Sequence, residues 1–106
     1  MLKEKILETP SKILTQEQRK EYFEDGGISI SEVLNKEWLQ KANQSVEEFI
    51  EESRILSASN NIFDIQKDHT SQNPKLRRVS SPCDYSDNLW KLLLEGPVGD
   101  IAEDLL

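Results

Sequence analysis

A chain of 106 residues is long enough for one modest domain, in which folding buries roughly two-thirds of the surface that the unfolded form exposes. With 20 acidic against 13 basic residues the formal net charge is -7, which argues against a nucleic-acid or anionic-membrane partner, because both need a basic face. Two Trp, two Tyr and three Phe among 36% hydrophobic residues argue for a folded chain rather than a disordered one.

The longest uninterrupted apolar run is Leu92-Leu93-Leu94, far short of the ~20 residues a membrane helix needs. The opening residues, MLKEKILETPSKIL, carry charges throughout, with no apolar signal core and no small-residue cleavage site. A single cysteine, Cys83, excludes an internal disulfide framework. The expectation is a cytoplasmic protein.

In chain order, residues 1–14, which include Pro10, read as a loosely held lead-in. LTQEQRKEYFEDGG then predicts a short helix with Thr15 as its cap, Gln18 in the capping-box position and the Gly26-Gly27 pair as its stop. GGISIS predicts a short strand from Gly27 to Ile30. From Lys36 to about Ser57, Leu39, Ala42, Val46, Phe49, Ile50 and Leu56 recur at helical spacing and predict a long amphipathic helix with this stripe buried. NIFDIQ predicts a strand with Ile62, Asp64 and Gln66 on one side and Phe63 and Ile65 on the other. After the polar loop KDHTSQNP, residues Lys75 to Ser80 predict another strand. YSDNLWKLLLEG predicts a helix capped by Ser86 or Asp87 and ended by Gly96. In PVGDIAEDLL, Pro97 suits a first helical position, and Val98, Ile101, Ala102, Leu105 and Leu106 form an apolar stripe. Glu103 and Asp104 stand in the last turn of that helix, where the dipole prefers cations, and the stripe runs to the final residue. The expectation is that more sequence follows and that this is a fragment.

The inventory of reactive groups is thin. One His and one Cys cannot supply the two His and one carboxylate of a non-haem iron site, or the three or four ligands of a zinc site. His69 therefore reads as a solvated loop residue. Cys83 beside Asp84 has no cation next to it other than Arg77 and Arg78 upstream. Glu47, Glu48, Glu51 and Glu52 read as the wet face of the long helix, and Gly26-Gly27 is not a phosphate loop.

The segment PKLRRVSSP is the exception to this plainness. As a strand it puts Leu76, Arg78 and Ser80 on one face and Arg77, Val79 and Ser81 on the other. Burial of either face would bring in an arginine that needs an acidic partner, for which Asp64, Asp68 and an anionic ligand are the candidates. An edge arginine that snorkels is the plainer alternative. RRVS also matches the Arg-Arg-x-Ser pattern of basophilic kinase substrates, although a strand is a poor kinase target.

The stretch from Leu14 to Glu52 resembles the N-terminal part of the phytanoyl-CoA dioxygenase family, in which a short helix, a glycine, a strand and a long helix follow one another. The downstream residues are similar to the branch in which an LRRVSSP strand precedes a Trp helix and a DIAEDLL-like helix, so the likeness covers nearly everything after residue 14. The resemblance implies an Fe(II) and 2-oxoglutarate dioxygenase that hydroxylates a small-molecule or acyl-type substrate. It implies an α+β, helix-rich chain whose N-terminal helices and few short strands flank a double-stranded β-helix (jelly-roll, cupin-like) core mostly missing here. Residues 15–106 would then be the truncated N-terminal part of such a domain.

In that family an H-x-D/E motif with a distal His holds the iron and a later Arg binds 2-oxoglutarate, all beyond this segment. No residue here inherits a catalytic, metal or cofactor role, and the chain alone should be inactive. Fe(II) and 2-oxoglutarate are expected only for the full-length protein. Arg77 and Arg78 are the substrate-side candidates. The expected partners are the missing C-terminal β-helix core and, through exposed edges and the bare helix stripe, further copies of the chain. The alternative is a small non-enzymatic α/β interaction module that binds a protein through the Val98–Leu106 face.

Overall fold

The computed structural model describes residues 2–106; Met1 lies outside them. The described residues form five α-helices and one two-stranded antiparallel sheet, a helix-rich α+β chain. They divide into two compact units, residues 2–35 with 92–106, and residues 36–91.

In the first unit, α1 (Lys3–Glu8) and α2 (Gln16–Asp25) are joined by an irregular segment, and Ile6 and Leu14 are its buried apolar residues. Residues 3–8 were expected to be loose; instead Ile6 is only 5% exposed. The α2 cap is as its sequence predicts. Gln18 N–H donates to Thr15 Oγ1 at 3.1 Å and Thr15 N–H to Gln18 Oε1 at 2.9 Å, a reciprocal box that satisfies two donors the helix leaves free. Gly26 closes α2 at φ 79°, donating to Tyr22 O at 2.9 Å, a left-handed position that glycine adopts without steric cost.

The strand expected at Gly27–Ile30 does not form. Its β-branched residues favour extension, but a strand exists only when a ladder partner takes its N–H and C=O groups. Among the described residues β1 and β2 pair only with each other.

α5 (Pro97–Leu105) starts at Gly96 with Pro97 in its first turn. Gly96 approaches the preceding helix so closely that a Cβ there would sit 2.4 Å from Leu92 O. The apolar stripe read from the sequence is largely wet, with Val98 51% and Leu106 78% exposed. The residue α5 buries is Asp104, 4% exposed.

The second unit is built on α3 (Lys36–Ser53), four residues shorter than expected. Its core is an edge-to-face pair, Phe49 with Phe63, whose centroids are 6.3 Å apart. Around Phe49 the buried face is Ser45–Phe49–Ser53, while Leu39 and Val46 of the predicted stripe are each 49% exposed. The small serines satisfy themselves at close quarters: Ser45 Oγ and Ser86 Oγ share a hydrogen bond of 2.7 Å, and Ser53 Oγ donates to Ile50 O at 2.6 Å. Ser86 also accepts from Leu89 N–H at 3.2 Å and so is the cap of α4 (Asp87–Glu95).

β1 (Phe63–Ile65) and β2 (Leu76–Val79) are shorter than the two runs predicted, but lie where the alternation puts them. They pair antiparallel, with Phe63 opposite Val79, Asp64 opposite Arg78 and Ile65 opposite Leu76. A short 3-10 turn (Pro82–Asp84) follows, entered through Ser81 at φ 50°.

Candidate functional site at the arginine pair

The register of the β-ribbon decides what the arginines do. Going from Asp64 to Ile65 advances β1 by one residue, while β2 retreats from Arg78 to Leu76. Arg77 is therefore the extra residue of a bulge, which interrupts the two-residue alternation on which the sequence reading relied. That reading put one arginine on each face, partly inside if that face were buried, with an edge arginine that snorkels as the plainer alternative. Instead both side chains are exposed, 67% for Arg77 and 71% for Arg78, and both turn to one carboxylate. Arg78 Nε lies 3.1 Å and Arg77 Nε 3.9 Å from the same oxygen, Asp64 Oδ2. Of the two acids named as candidate partners, Asp64 takes the role. Asp68 instead pairs with Lys75, whose ammonium holds the Asp68 carboxyl below its ordinary value.

Beside the pair lies a groove of about 300 Å³. Val46, Phe49 and Ile50 of α3 and Leu76 and Val79 of β2 line it together with Pro82 and Leu89; Arg77 and Arg78 also line it. The spacing explains the α3 lining: residues 46, 49 and 50 are neighbours on one helix face. Phe49 thus serves both the core and the groove floor.

His69 is not the solvated loop residue expected from the sequence. Its Nε2 lies 2.9 Å from Ser53 O, and its Nδ1 accepts the Lys75 N–H at 2.7 Å. Since a backbone N–H can only donate, Nδ1 must be the bare nitrogen and Nε2–H the donor to Ser53. The ring ties the end of α3 to the start of β2, and neither nitrogen is free to activate Ser80, Ser81 or Cys83. His69→Ala should lower stability by about 1–2 kcal/mol, two bonds of ordinary worth. Chemical denaturation would check this, and an unchanged midpoint would contradict the tether.

Among the described residues no group of three His, Cys, Asp or Glu side chains is placed to hold a metal ion. With one histidine in the whole sequence, the donors do not fit the iron site that the family resemblance implies. Among the described residues no helix is long and apolar enough to cross a membrane.

The most heavily bonded polar group is one the sequence reading missed. Arg19, 2% exposed, donates from Nε to Asp104 O at 2.9 Å, from Nη1 to Thr9 O at 2.7 Å and from Nη2 to Ile6 O. Asp104 accepts three successive backbone N–H groups: Lys12 on Oδ1 at 2.7 Å, and Ile13 and Leu14 on Oδ2, each at 2.9 Å. Burial pushes the Asp104 carboxyl up, but these three bonds, with the Arg19 charge, outweigh it and hold the group below its ordinary value. The one available signal was the misfit of Asp104 in the last turn of α5. An acid placed against the helix dipole has to be answered from elsewhere. This cluster holds the first unit together. Lys12, paired with Glu103 and Asp100, adds a wet ion pair at its edge.

A scan against protein-family models and searches of curated proteins and of solved structures found no match.

Proposed function

We propose that this chain is the N-terminal portion of an Fe(II) and 2-oxoglutarate dioxygenase of the phytanoyl-CoA dioxygenase kind, acting in the cytoplasm on a small-molecule or acyl-type substrate and inactive alone. The observation that carries the reading is the order of elements. A boxed helix closed by Gly26, a long α3, an arginine-bearing β2, the Trp90 helix and the Pro97 helix follow one another in the order of the resemblance, without the strand it puts between Gly26 and α3. Iron, 2-oxoglutarate and a jelly-roll core would all come from residues outside these 106. Arg77 and Arg78, exposed beside the groove, are the pair that faces the substrate side.

A second reading draws on the same exposed side chains. Leu93, Leu94, Val98 and Leu106 are 50%, 64%, 51% and 78% exposed, more bare apolar surface than a finished helix pair usually shows. In the dioxygenase this surface is covered by the missing core, and in its absence by another copy of the chain. In the alternative, a small α/β interaction module, the 98–106 face takes a protein partner.

The reading frame downstream of the Leu106 codon and one titration separate the two. The expected result is an open frame encoding H-x-D and a distal His. The full-length protein should then develop a charge-transfer band when Fe(II) and 2-oxoglutarate are added without oxygen, which the 106-residue chain should lack. A stop codon after Leu106 would favour the module, and a full-length protein that develops no band would overturn the dioxygenase.

A further inference from the structure

The groove beside the arginine pair has a composition that selects a ligand. We propose that it binds a monoanion with a compact apolar body, seated between α3 and β2 with its acidic head on Arg77 and Arg78. This rests on reading the arginines as the ligand-side pair, and not on the iron chemistry of the parent enzyme.

The charge count sets the head group. One carboxylate, Asp64, stands against two guanidinium groups, and both reach it through a single oxygen. At 3.1 Å Arg78 is engaged, whereas Arg77 at 3.9 Å lies beyond hydrogen-bond range. The pair therefore carries about one surplus positive charge beside the groove that it helps to line, in a chain whose formal net charge is -7. A carboxylate or sulfonate matches the planar fork of a guanidinium and supplies the one charge that is lacking. A dianion would leave one charge of its own unmatched at this site.

The walls set the body. Val46, Ile50, Leu76, Val79 and Leu89 offer hydrocarbon, and the volume of about 300 Å³ stands at the lower end of small-molecule sites, roughly 300–1,000 Å³. Pro82 and Leu89 add to this apolar lining, and a volume at that lower end fits a compact body better than an extended chain. Asp64 acts as an internal competitor for the head group. It keeps the empty site paired and sets how strongly an incoming acid must bind.

Two fluorescent dyes test this on the chain as it stands. 8-Anilinonaphthalene-1-sulfonate carries one negative charge on a fused-ring body; N-phenyl-1-naphthylamine has nearly the same body and no charge. The sulfonate should bind saturably, one per chain, and lose about tenfold or more in affinity in the Arg77→Ala/Arg78→Ala variant, as expected for a hydrogen-bonded charge. The neutral dye should bind that variant within about twofold of the parent, given that charged contacts contribute nothing to it. Asp64→Asn should tighten the sulfonate and leave the amine unchanged, an opposite response that loss of folding cannot imitate. Ile50→Glu should weaken both dyes.

Equal sulfonate affinity in the parent and the double arginine variant would overturn the proposal. Saturable binding of neither dye, with the chain sedimenting as a dimer, would put a second copy in the groove and overturn it equally. Neither result touches the iron titration, so this ligand class and the dioxygenase reading fail separately.

Discussion

Replacing Arg19 by Ala should cost about 3–5 kcal/mol of folding free energy, the range for removing one partner from a buried charged cluster. That is a large part of the total for a domain of this size, roughly 5–15 kcal/mol. The reason is what the side chain leaves behind. Thr9 O and Asp104 O lose the guanidinium donor, Ile6 O is left with the Thr9 N–H alone, and the buried Asp104 carboxylate keeps its charge without the cation nearby. Asp104 O belongs to the last turn of α5, where no intrahelical N–H remains to take it. Arg19→Lys should recover only part of the loss, since an ammonium cannot span three acceptors with a fixed fork. Urea denaturation of the three proteins provides the measurement; an Arg19→Ala variant within about 1 kcal/mol of the parent would mean water replaces the guanidinium at little cost.

The same cluster has a pH signature whose sign is fixed. The folded-state value of Asp104 lies below its ordinary one. Its contribution is therefore complete above the unfolded aspartate value, about 3.9, and is lost as pH falls through the lower folded value. Stability should fall on acidification from about pH 5 downwards. Asp104→Asn, which cannot release a proton, should show a shallower fall from a lower starting point. Parallel curves for the two proteins between pH 5 and 2 would mean other carboxylates set the acid limit.

The second large effect belongs to the other unit. Phe49→Ala should destabilise by about 3–5 kcal/mol, the usual cost of a buried phenylalanine with the cavity it leaves. Phe49 is 5% exposed and meets Phe63 edge to face, so the variant loses an aromatic contact as well as buried area. Hydrogen exchange should show the loss first in the C-terminal half of α3 and in β1. Phe49 also floors the groove, and the neutral dye should bind more weakly to any folded fraction. Phe49→Leu, which keeps most of the volume, should retain more than half of the lost stability. If Leu and Ala cost the same, the edge-to-face contact matters more than the space.

Local features were the most legible. The Thr15–Gln18 box, the left-handed Gly26, the Ser86 cap and Pro97 after Gly96 each depend on residues within four positions of one another, and neighbours in sequence cannot avoid meeting. The Arg77–Arg78 segment also showed as a strand, because its composition and flanking prolines act locally. Which way the two arginines point did not show. One inserted residue relative to β1 re-aims a side chain, and that register depends on a partner strand about a dozen positions away. The helical stripe of α3 was read one position off for a similar reason. Apolar periodicity favours Leu39 and Val46, but the neighbouring Ser86 makes the Ser45 side the one that closes.

The sequence by itself determined the helix-rich α+β character, where most elements begin and end, and that one histidine cannot supply a two-histidine iron site. Capping, alternation and ligand counting act over a few residues or over totals, so no fold is needed to apply them. Only the tertiary structure decided that Gly27–Ile30 stays unpaired, that His69 is a tether and that Asp104 is buried while the leucines around it are not. Each of these turns on whether a polar group finds a partner far along the chain. Asp104 meets Lys12, Ile13 and Leu14 across some ninety residues, and no window of the sequence contains both sides of that contact.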